Sequence, residues 1–464
     1  MDLVKRKKNL IIYAAVFMLF IMTAVFSGLC HEAWADEAQA WLIARDNNSF
    51  LDIVKAVRYE GTLPTWHLTI KLFQLLGLQY EYFFVISLIF SSCGVILLFM
   101  TETPLYAKIL LPFSYFVLYQ DTVIARQYAM IFPAMMLILI FFTDREKKPW
   151  GYFLGIIFLA STSSYGVILS ASFLLWDLIC IVKTIKSRRL DKFCSFFLAT
   201  GAVMALIVLI FLPPADCNYP RINELSFADS LTTAFLFKTD SLCLQIAFIA
   251  ILLAAFIFYF RKNIVQVLIY TVPLLLYMIF FYHRPWHMPY LFFLIFILLV
   301  IFRSKKEEAK TRANKIAFYS CKAFIITLLA FQFITGIYSI YLDYKLDYFP
   351  SKEIAKFIKP YIETGAKADT VGYSTYSVQP YFEKNIYANN PTDKAYYIWS
   401  SKYEYFTLSS PPSEILIVPT NISVGNAERY NSYVFDGYNI CKFSAVNERQ
   451  CTVYILKSLE GKNE

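Results

Sequence analysis

Long apolar runs, separated by short charged segments, fill the chain up to about residue 341. A run of about 20 uncharged residues is long enough to cross the hydrocarbon core of a membrane as a helix. The runs of spanning length are 11–29, 82–100, 193–215, 241–260, 263–282, 285–302 and 323–342, and the shorter or broken ones are 104–120, 127–143, 149–164 and 166–182. The pattern predicts a polytopic α-helical membrane protein with about eleven transmembrane helices.

Composition supports this interpretation. Hydrophobic residues make up 58% of the 464 residues and charged ones 17%, whereas soluble domains are about 45–50% apolar and roughly one quarter charged. The first run follows basic residues, as in a signal peptide. It is longer than the usual h-region and has no small-residue cleavage site, so we expect an uncleaved first helix.

The net charge of +9 follows the predicted topology. Lys and Arg concentrate in the clusters 5–8, 144–148, 183–192, 261–262 and 303–315. With a cytoplasmic N-terminus and eleven crossings, every cluster falls on the cytoplasmic side, as the positive-inside rule requires. We therefore expect a multi-pass plasma-membrane protein that lies in the lipid bilayer. We do not expect it to bind nucleic acid.

The same topology divides the chain into a membrane domain, 1–341, and an exterior soluble domain, 342–464. Its first exterior loop, 30–81, is too long for a simple turn. Amphipathic spacing predicts three juxtamembrane helices there, over 36–46, 49–59 and 64–77.

The tail, 342–464, carries more charge and regular turn signals, which predict a small α/β domain. We expect a first helix capped by Ser351, and a Cys441–Cys451 pairing is one option for the two tail cysteines. The expected elements are a helix over 351–362, buried strands at 369–373 and 414–420, and a terminal hairpin of 438–446 with 451–458.

Carboxylates are densest directly after the first apolar run, where Asp36 and Glu37 stand side by side. A carboxylate at the membrane surface can take a proton from a hydroxyl nucleophile as a general base. The pair could also hold a divalent cation. Alternatively, acids at a helix start simply favour the helix dipole. The residues alone leave these three readings open.

All four histidines fall on the predicted exterior side, as do two arginines at the ends of spans, Arg126 and Arg284. Arg126 follows Asp121 in the second exterior turn. An arginine there can bind phosphate or serve as a snorkelling anchor. His283 and His287 have the i, i+4 spacing of a zinc pair, but Pro285 intervenes and no third ligand is evident. A phosphate site of Arg284 with His287 fits the segment better.

Two motifs of the first exterior loop, "WADEAQAWLIARD" (34–46) and "RYEGTLPTWHL" (58–68), resemble the GT-C superfamily of glycosyltransferases. These multi-span enzymes use polyprenyl-phosphate sugars, and protein O-mannosyltransferases and the lipid A aminoarabinose transferase are relatives. "RPWHMPYLFF" (284–293) is similar to a late Arg/His segment of bacterial members. The resemblance covers roughly 1–341 and implies a GT-C-like fold.

The resemblance also implies roles for individual residues. Asp36 takes the catalytic acid/base position with Glu37 beside it, and Asp121 is the assisting acid of the second exterior loop. The donor phosphate is assigned to Arg126, Arg284 and His287. The loop residues Glu60, Trp66 and His67 are assigned to substrate.

The expected function is therefore inverting transfer of a sugar from a polyprenyl-phosphate donor to a hydroxyl of a glycan, lipid or protein acceptor at the outer face. No cofactor is required by the residues, although a divalent cation stays an option. The alternatives are a transporter or flippase for a lipid-linked sugar and a non-catalytic scaffold. Transporters usually carry charges in their spans and have internal repeats, whereas here Asp177 interrupts a span and the halves of the chain do not match.

Overall fold

The computed structural model describes residues 2–184, 191–219, 226–235, 241–302, 312–439, 447–448 and 450–460. Most of these residues are helical, and a small sheet follows near the C-terminus. The helices before the sheet are α1 Asp2–Cys30, α2 Ala35–Asp46, α3 Phe50–Val57, α4 Pro64–Leu75, α5 Phe84–Met100, α6 Leu105–Leu110, α7 Ile131–Phe142, α8 Pro149–Ala160, α9 Ser164–Thr184, α10 Lys192–Phe211, α11 Phe227–Phe235, α12 Leu242–Phe260, α13 Ile264–Phe280, α14 Pro289–Ile301, α15 Arg312–Lys345 and α16 Ser351–Glu363.

Six helical segments of the described chain are long and apolar enough to cross a membrane. They are Lys7–Cys30, Tyr80–Met100, Ser164–Thr184, Lys192–Ile210, Leu242–Phe260 and Phe318–Lys345. Shorter apolar helices are Gln127–Phe142, Pro149–Ala160, Ile264–Phe280 and Pro285–Ile301. This set fits a helical membrane protein. The count of eleven crossings and the GT-C arrangement stay predictions.

The remaining expected span, 104–120, is not one continuous helix. After α6 the backbone passes through a 3₁₀ turn, Leu111–Phe113, and a π-helical stretch, Tyr115–Gln120. Pro112 has no N–H to continue a helix, and Ser114 starts the next stretch by accepting the Val117 N–H at 3.3 Å.

Gly336 of α15 lies directly against this broken backbone. A Cβ at this position would stand 3.1 Å from the Phe113 carbonyl oxygen. The absence of a side chain therefore lets α15 approach the 3₁₀ turn closely.

The three short helices expected after the first apolar run are present as α2, α3 and α4. Ser49 caps α3 by accepting the Asp52 N–H at 3.1 Å, and Pro64 occupies the first position of α4, where its missing N–H has no cost. Trp41 of α2 packs with Trp66 and Ile70 of α4 in one buried cluster. This packing fixes α2 relative to α4.

The C-terminal sheet has four strands in the order β1-β2-β6-β3, where β1 pairs with β2 in parallel and the other pairs are antiparallel. The elements are β1 Ala368–Thr370, β2 Ile415–Pro419, β3 Tyr430–Phe435, β4 Tyr438–Asn439, β5 Asn447–Glu448, β6 Cys451–Leu456 and α17 Lys457–Glu460. The helix α16 packs beside this sheet in a shared core, so the tail has the expected α/β character.

Two details of the tail differ from expectation. The last strand, β6, pairs with β2 and β3 and not with the described residues of β4, and residues 440–446 of the expected hairpin lie outside the described residues. This strand lies between β2 and β3, because its alternate residues are buried in the core of this sheet. Ser351 is not a helix cap: Pro350 precedes α16, and the Ser351 hydroxyl donates to the Glu32 carboxylate at 2.5 Å.

The expected pairing of Cys441 with Cys451 cannot be followed because residues 440–446 lie outside the described residues. Cys451 itself is buried in β6, where its thiol contacts the Val418 carbonyl oxygen at 3.4 Å.

The tail is fixed to α2 by hydrogen bonds. The Asp46 carboxylate accepts the Ala395 N–H at 2.8 Å. The Gln39 side chain accepts the Tyr397 N–H at 2.9 Å and donates back to the Tyr397 carbonyl. These contacts bring residues near 397 over the start of α2.

A buried charge network joins α1, α2 and α15 directly after the first helix. His31 lies between two carboxylates, with Nδ1 2.8 Å from Asp343 and Nε2 3.1 Å from Glu37. The Tyr119 hydroxyl donates to the second oxygen of Asp343 at 2.9 Å. The side chains of His31, Glu37 and Asp343 are each at most 3% exposed.

The network keeps His31 protonated. Burial alone would lower the pKa of this imidazole, but Asp343 and then Glu37 outweigh burial and raise the pKa to about 10. The two carboxylates pair with the buried imidazolium, and this pairing offsets the free-energy cost of burying a charged group.

The protein should lose stability as the pH rises from about 6.5 to about 10. In this window the unfolded His31 has released its proton, whereas the folded one retains it until about pH 10. The full contribution is present below pH 6.5. Unfolding midpoints of the purified chain in detergent, from pH 6 to 10, should converge with those of His31→Gln at the alkaline end. If the difference in unfolding midpoint between wild type and His31→Gln does not change with pH, this assignment is contradicted.

Candidate functional site

Asp36 occupies the first turn of α2, where it faces Arg126 across the site. The Asp36 carboxylate lies 2.5 Å from the Arg126 guanidinium. About half of the Asp36 side chain (47%) is exposed, while Arg126 is largely buried. Burial would lower the pKa of Arg126, but Asp36 outweighs it and raises the pKa further above its usual range.

Glu37 and Ala125 hold this ion pair in place. The Glu37 carboxylate accepts the Trp34 N–H at 2.8 Å, which closes the first turn of α2. Its other oxygen accepts the Ala125 N–H at 2.7 Å. Asp36 directly precedes Glu37, and Arg126 directly follows Ala125. The hydrogen bond between Glu37 and Ala125 therefore brings Asp36 and Arg126 together.

A cavity of about 380 Å³ opens beside the ion pair; we call it the larger cavity. Its lining includes six of the residues singled out in the sequence: Asp36, Glu60, His67, Arg126, Arg284 and His287. They come from α2, the turn before α4, α4 itself, the segment before α7 and the turn before α14. Residues separated by up to 251 positions thus line one space.

Glu60 is the second carboxyl group of the larger cavity. Within the described residues its carboxyl group accepts one side-chain hydrogen bond, from the Gln39 amide at 2.8 Å. Burial raises the pKa of Glu60 to about 8, opposed by the Gln39 hydrogen bond and assisted by the negative charge of Asp36. Glu60 is therefore mostly protonated at pH 7.

His67, in the first turns of α4, is neutral. Burial and the nearby positive charge of Arg126 lower the pKa of its imidazole to about 3. This group can offer hydrogen bonds to a ligand in the larger cavity, but it brings no charge.

Arg284 and His287 enter the larger cavity from the turn before α14. The Arg284 guanidinium carbon lies 5.6 Å from the Trp286 ring centre, within cation–π range. The Tyr165 hydroxyl donates to the Tyr282 carbonyl at 2.7 Å and lies 3.0 Å from Nδ1 of His287. Since a hydroxyl has one hydrogen, Nδ1 of His287 donates to Tyr165, and Nε2 is the nitrogen left for other partners.

Several aromatic residues to which the sequence gave no role also line the larger cavity, among them Tyr219, Tyr373 and Trp399. The Trp399 ring lies 5.2 Å from Tyr219 and 5.5 Å from Tyr373. Aromatic-rich stretches at 373–381 and 396–406 are visible in the sequence. Which ring reaches the cavity depends on how the tail docks on α2, and that is not visible there.

The structure does not bring three of the expected residues to the cavity. Glu37 is buried and engaged by backbone N–H groups and His31, and Trp66 lies in the core between α2 and α4. Asp121 is fully buried, and burial raises its pKa well above the usual range. Asp121 directly follows the π-helical stretch and does not line the cavity.

The expected cation pair of Asp36 with Glu37 does not fit this geometry, because the two carboxylates bind different partners. Within the described residues, no group of three or more His, Cys, Asp or Glu could hold a metal ion. The i, i+4 histidines also diverge: Nδ1 of His283 lies 2.8 Å from the Met278 carbonyl, whereas that of His287 faces Tyr165.

No known protein family, curated protein or solved structure matches this chain. The function must therefore be inferred from the geometry of the site.

Glu60 should titrate with a midpoint near pH 8. The carboxylic acid C=O band in infrared difference spectra of the purified protein should disappear around this pH, and Glu60→Gln should lack that transition. Glu404→Gln, which removes an exposed carboxyl group of the tail, serves as the matched control and should retain it. Persistence of the transition in Glu60→Gln would assign it to another group.

Proposed function

We propose that this protein is a membrane glycosyltransferase that moves a sugar from a polyprenyl-phosphate donor to a hydroxyl acceptor. The observation that supports the proposal most is the Asp36–Arg126 ion pair, at the edge of a cavity that also holds Arg284 and Glu60. A carboxylate for the proton and two guanidinium groups for a phosphate are the groups that such a transfer needs.

Arg126 and Arg284 are the proposed phosphate ligands. The donor is a phosphodiester, and its phosphate gains a negative charge as the sugar leaves. Guanidinium groups held in place beforehand stabilise this charge as it develops. His287, whose Nδ1 is oriented by Tyr165, adds a polar group on the same side.

Asp36 is the proposed general base. The acceptor oxygen bonds to the anomeric carbon while the bond from this carbon to the phosphate oxygen breaks. The phosphate leaves with the electron pair, and the acceptor proton passes to Asp36. One displacement inverts the anomeric configuration. A donor phosphate on Arg126 would share the guanidinium that now binds Asp36, and the carboxylate would become a stronger base.

The apolar helices support a lipid-linked donor over a soluble one. A polyprenyl chain remains in the bilayer while its phosphate lies at the surface, where charged side chains can bind it. The distribution of Lys and Arg supports placing this site at the outer face of the plasma membrane, with the N-terminus in the cytoplasm. The acceptor then belongs to a glycan, lipid or protein of the cell envelope.

Asp36→Asn should reduce sugar transfer at least about a hundredfold, the usual cost of losing a general base. Transfer is measured in membranes that express each variant, with radiolabelled sugars on polyprenyl-phosphate donors. Asp52→Asn changes an acid at the exposed start of α3 and is the matched control. Equal transfer by wild type and Asp36→Asn at equal protein levels would contradict the role of Asp36. No transfer by wild type from any donor would favour the transporter or the scaffold.

Arg284→Gln should raise KM for the donor roughly ten- to a hundredfold, the range for losing a hydrogen bond to a charged group. The KM for the acceptor should change little. Arg429→Gln removes an exposed arginine of the tail and controls for the loss of positive charge. An unchanged donor KM in Arg284→Gln would remove this residue from the phosphate site.

A further inference from the structure

A second cavity, of about 260 Å³, adjoins the larger one; we call it the smaller cavity. The two share five lining residues: Asp36, Arg126, Tyr128, Trp286 and Tyr373. The Asp36–Arg126 ion pair therefore stands at the junction of two spaces. A ligand in either cavity can reach the Asp36 carboxylate.

The two cavities differ in charge. The larger one contains Arg284, Glu60 and two histidines in addition to the ion pair. Asp36 and Arg126 are the charged residues in the lining of the smaller cavity, and they neutralise each other. The smaller cavity thus offers an anionic phosphate no additional cation, and it suits a neutral ligand.

Aromatic rings form much of the wall of the smaller cavity. Trp34 stacks on Tyr348 with ring centres 4.7 Å apart and an interplanar angle of 25°, and Tyr115, Tyr128, Trp286 and Tyr373 also line it. Flat apolar rings beside polar groups suit a ligand that has both C–H and O–H surfaces.

Two residues of this wall each carry a buried polar atom that lacks a hydrogen-bond partner in the described protein: Gln120 at Oε1 and Trp34 at Nε1. Gln120 is 2% exposed, and its amide nitrogen donates to the Trp286 carbonyl at 2.7 Å. The reverse amide orientation would place two oxygens together, so Oε1 is the atom left unpaired. Buried polar atoms are normally paired, because an unmade hydrogen bond is costly.

From these observations we infer that the smaller cavity is the acceptor subsite and that it binds a neutral sugar ring. One ring hydroxyl donates to Gln120, another oxygen accepts from Trp34, and the ring lies against the aromatic wall. The reacting hydroxyl points to Asp36, which takes its proton as the oxygen bonds to the anomeric carbon of the donor. The acceptor role rests on the proposed function, whereas sugar binding does not.

A sugar fits better than the other acceptor classes. A peptide brings a backbone N–H and C=O group with every residue, which is more than the one acceptor and one donor left unpaired here can satisfy. The volume is below the roughly 300–1,000 Å³ of most ligand sites, which suits a single ring. A lipid chain would leave both polar atoms unpaired.

The test measures sugar binding without transfer. Full-length protein in nanodiscs is mixed with methyl glycosides of glucose, galactose, mannose and N-acetylglucosamine, and saturation-transfer NMR reports contact with aromatic protons. We expect at least one glycoside to bind. Gln120→Leu should weaken binding roughly tenfold, and so should Trp34→Phe, which keeps one aromatic ring and removes the N–H donor together with the five-membered ring.

Gln74→Leu is the matched control. The Gln74 amide also donates to a backbone carbonyl, that of Trp41 at 3.0 Å, and its Oε1 is also buried without a partner. Gln74 does not line either cavity, so its replacement should leave glycoside binding unchanged.

Binding of no glycoside would overturn the inference, as would equal affinity in wild type, Gln120→Leu and Trp34→Phe. Binding of a serine-containing peptide in place of the glycosides would overturn it in favour of a protein acceptor. Glycoside binding that depends on Gln120, without transfer from any donor, would preserve the sugar site and refute the transferase. With both activities present, Gln120→Leu should raise the acceptor KM and leave the donor KM unchanged.

Discussion

The Glu37 carboxylate accepts hydrogen bonds from three directions, and the position of the site depends on them. It closes the first turn of α2 at Trp34, binds the backbone of Ala125 and pairs with protonated His31. Hydrogen bonds with an ionised partner are stronger than neutral ones. Asp36 directly precedes Glu37, and Arg126 directly follows Ala125. A displaced Glu37 would therefore separate the ion pair that both cavities share.

The hydrogen-bond network around His31 also fixes where the tail begins. Asp343, near the end of α15, is the second carboxylate on His31. A few residues later Tyr348 stacks on Trp34, and Ser351 donates to Glu32. The tail therefore leaves α15 beside the start of α2, and Gln39 and Asp46 hold it along that helix. Buried polar networks of this kind specify one arrangement, because partial satisfaction leaves a charge unpaired.

The larger and the smaller cavity lie on either side of the Asp36–Arg126 ion pair, and their linings differ chemically. On one side, Arg284 and the titratable Glu60 make the larger cavity suitable for an anionic head group. On the other side, the aromatic wall and the amide of Gln120 make the smaller cavity suitable for a neutral polyol. In the proposed transfer, the acceptor hydroxyl must lie beside both the proton-accepting group and the anomeric carbon of the donor. Asp36 stands at the junction of the two cavities, and it stays half exposed because neither cavity is filled by protein.

The sequence by itself determined the apolar helices, the three short helices after α1 and the mixed character of the tail, since hydrophobic periodicity and capping residues are local signals. It also singled out Asp36, Arg126, Arg284 and His287. Tertiary structure decided that Glu37 supports the site, that Asp121 is buried, and that Gln120, Tyr373 and Trp399 line the cavities. It also placed β6 between two strands and broke the segment 104–120. These outcomes depend on which distant segments meet. A contact between side chains about 300 residues apart produces no local pattern of hydrophobic or capping residues from which it could be predicted.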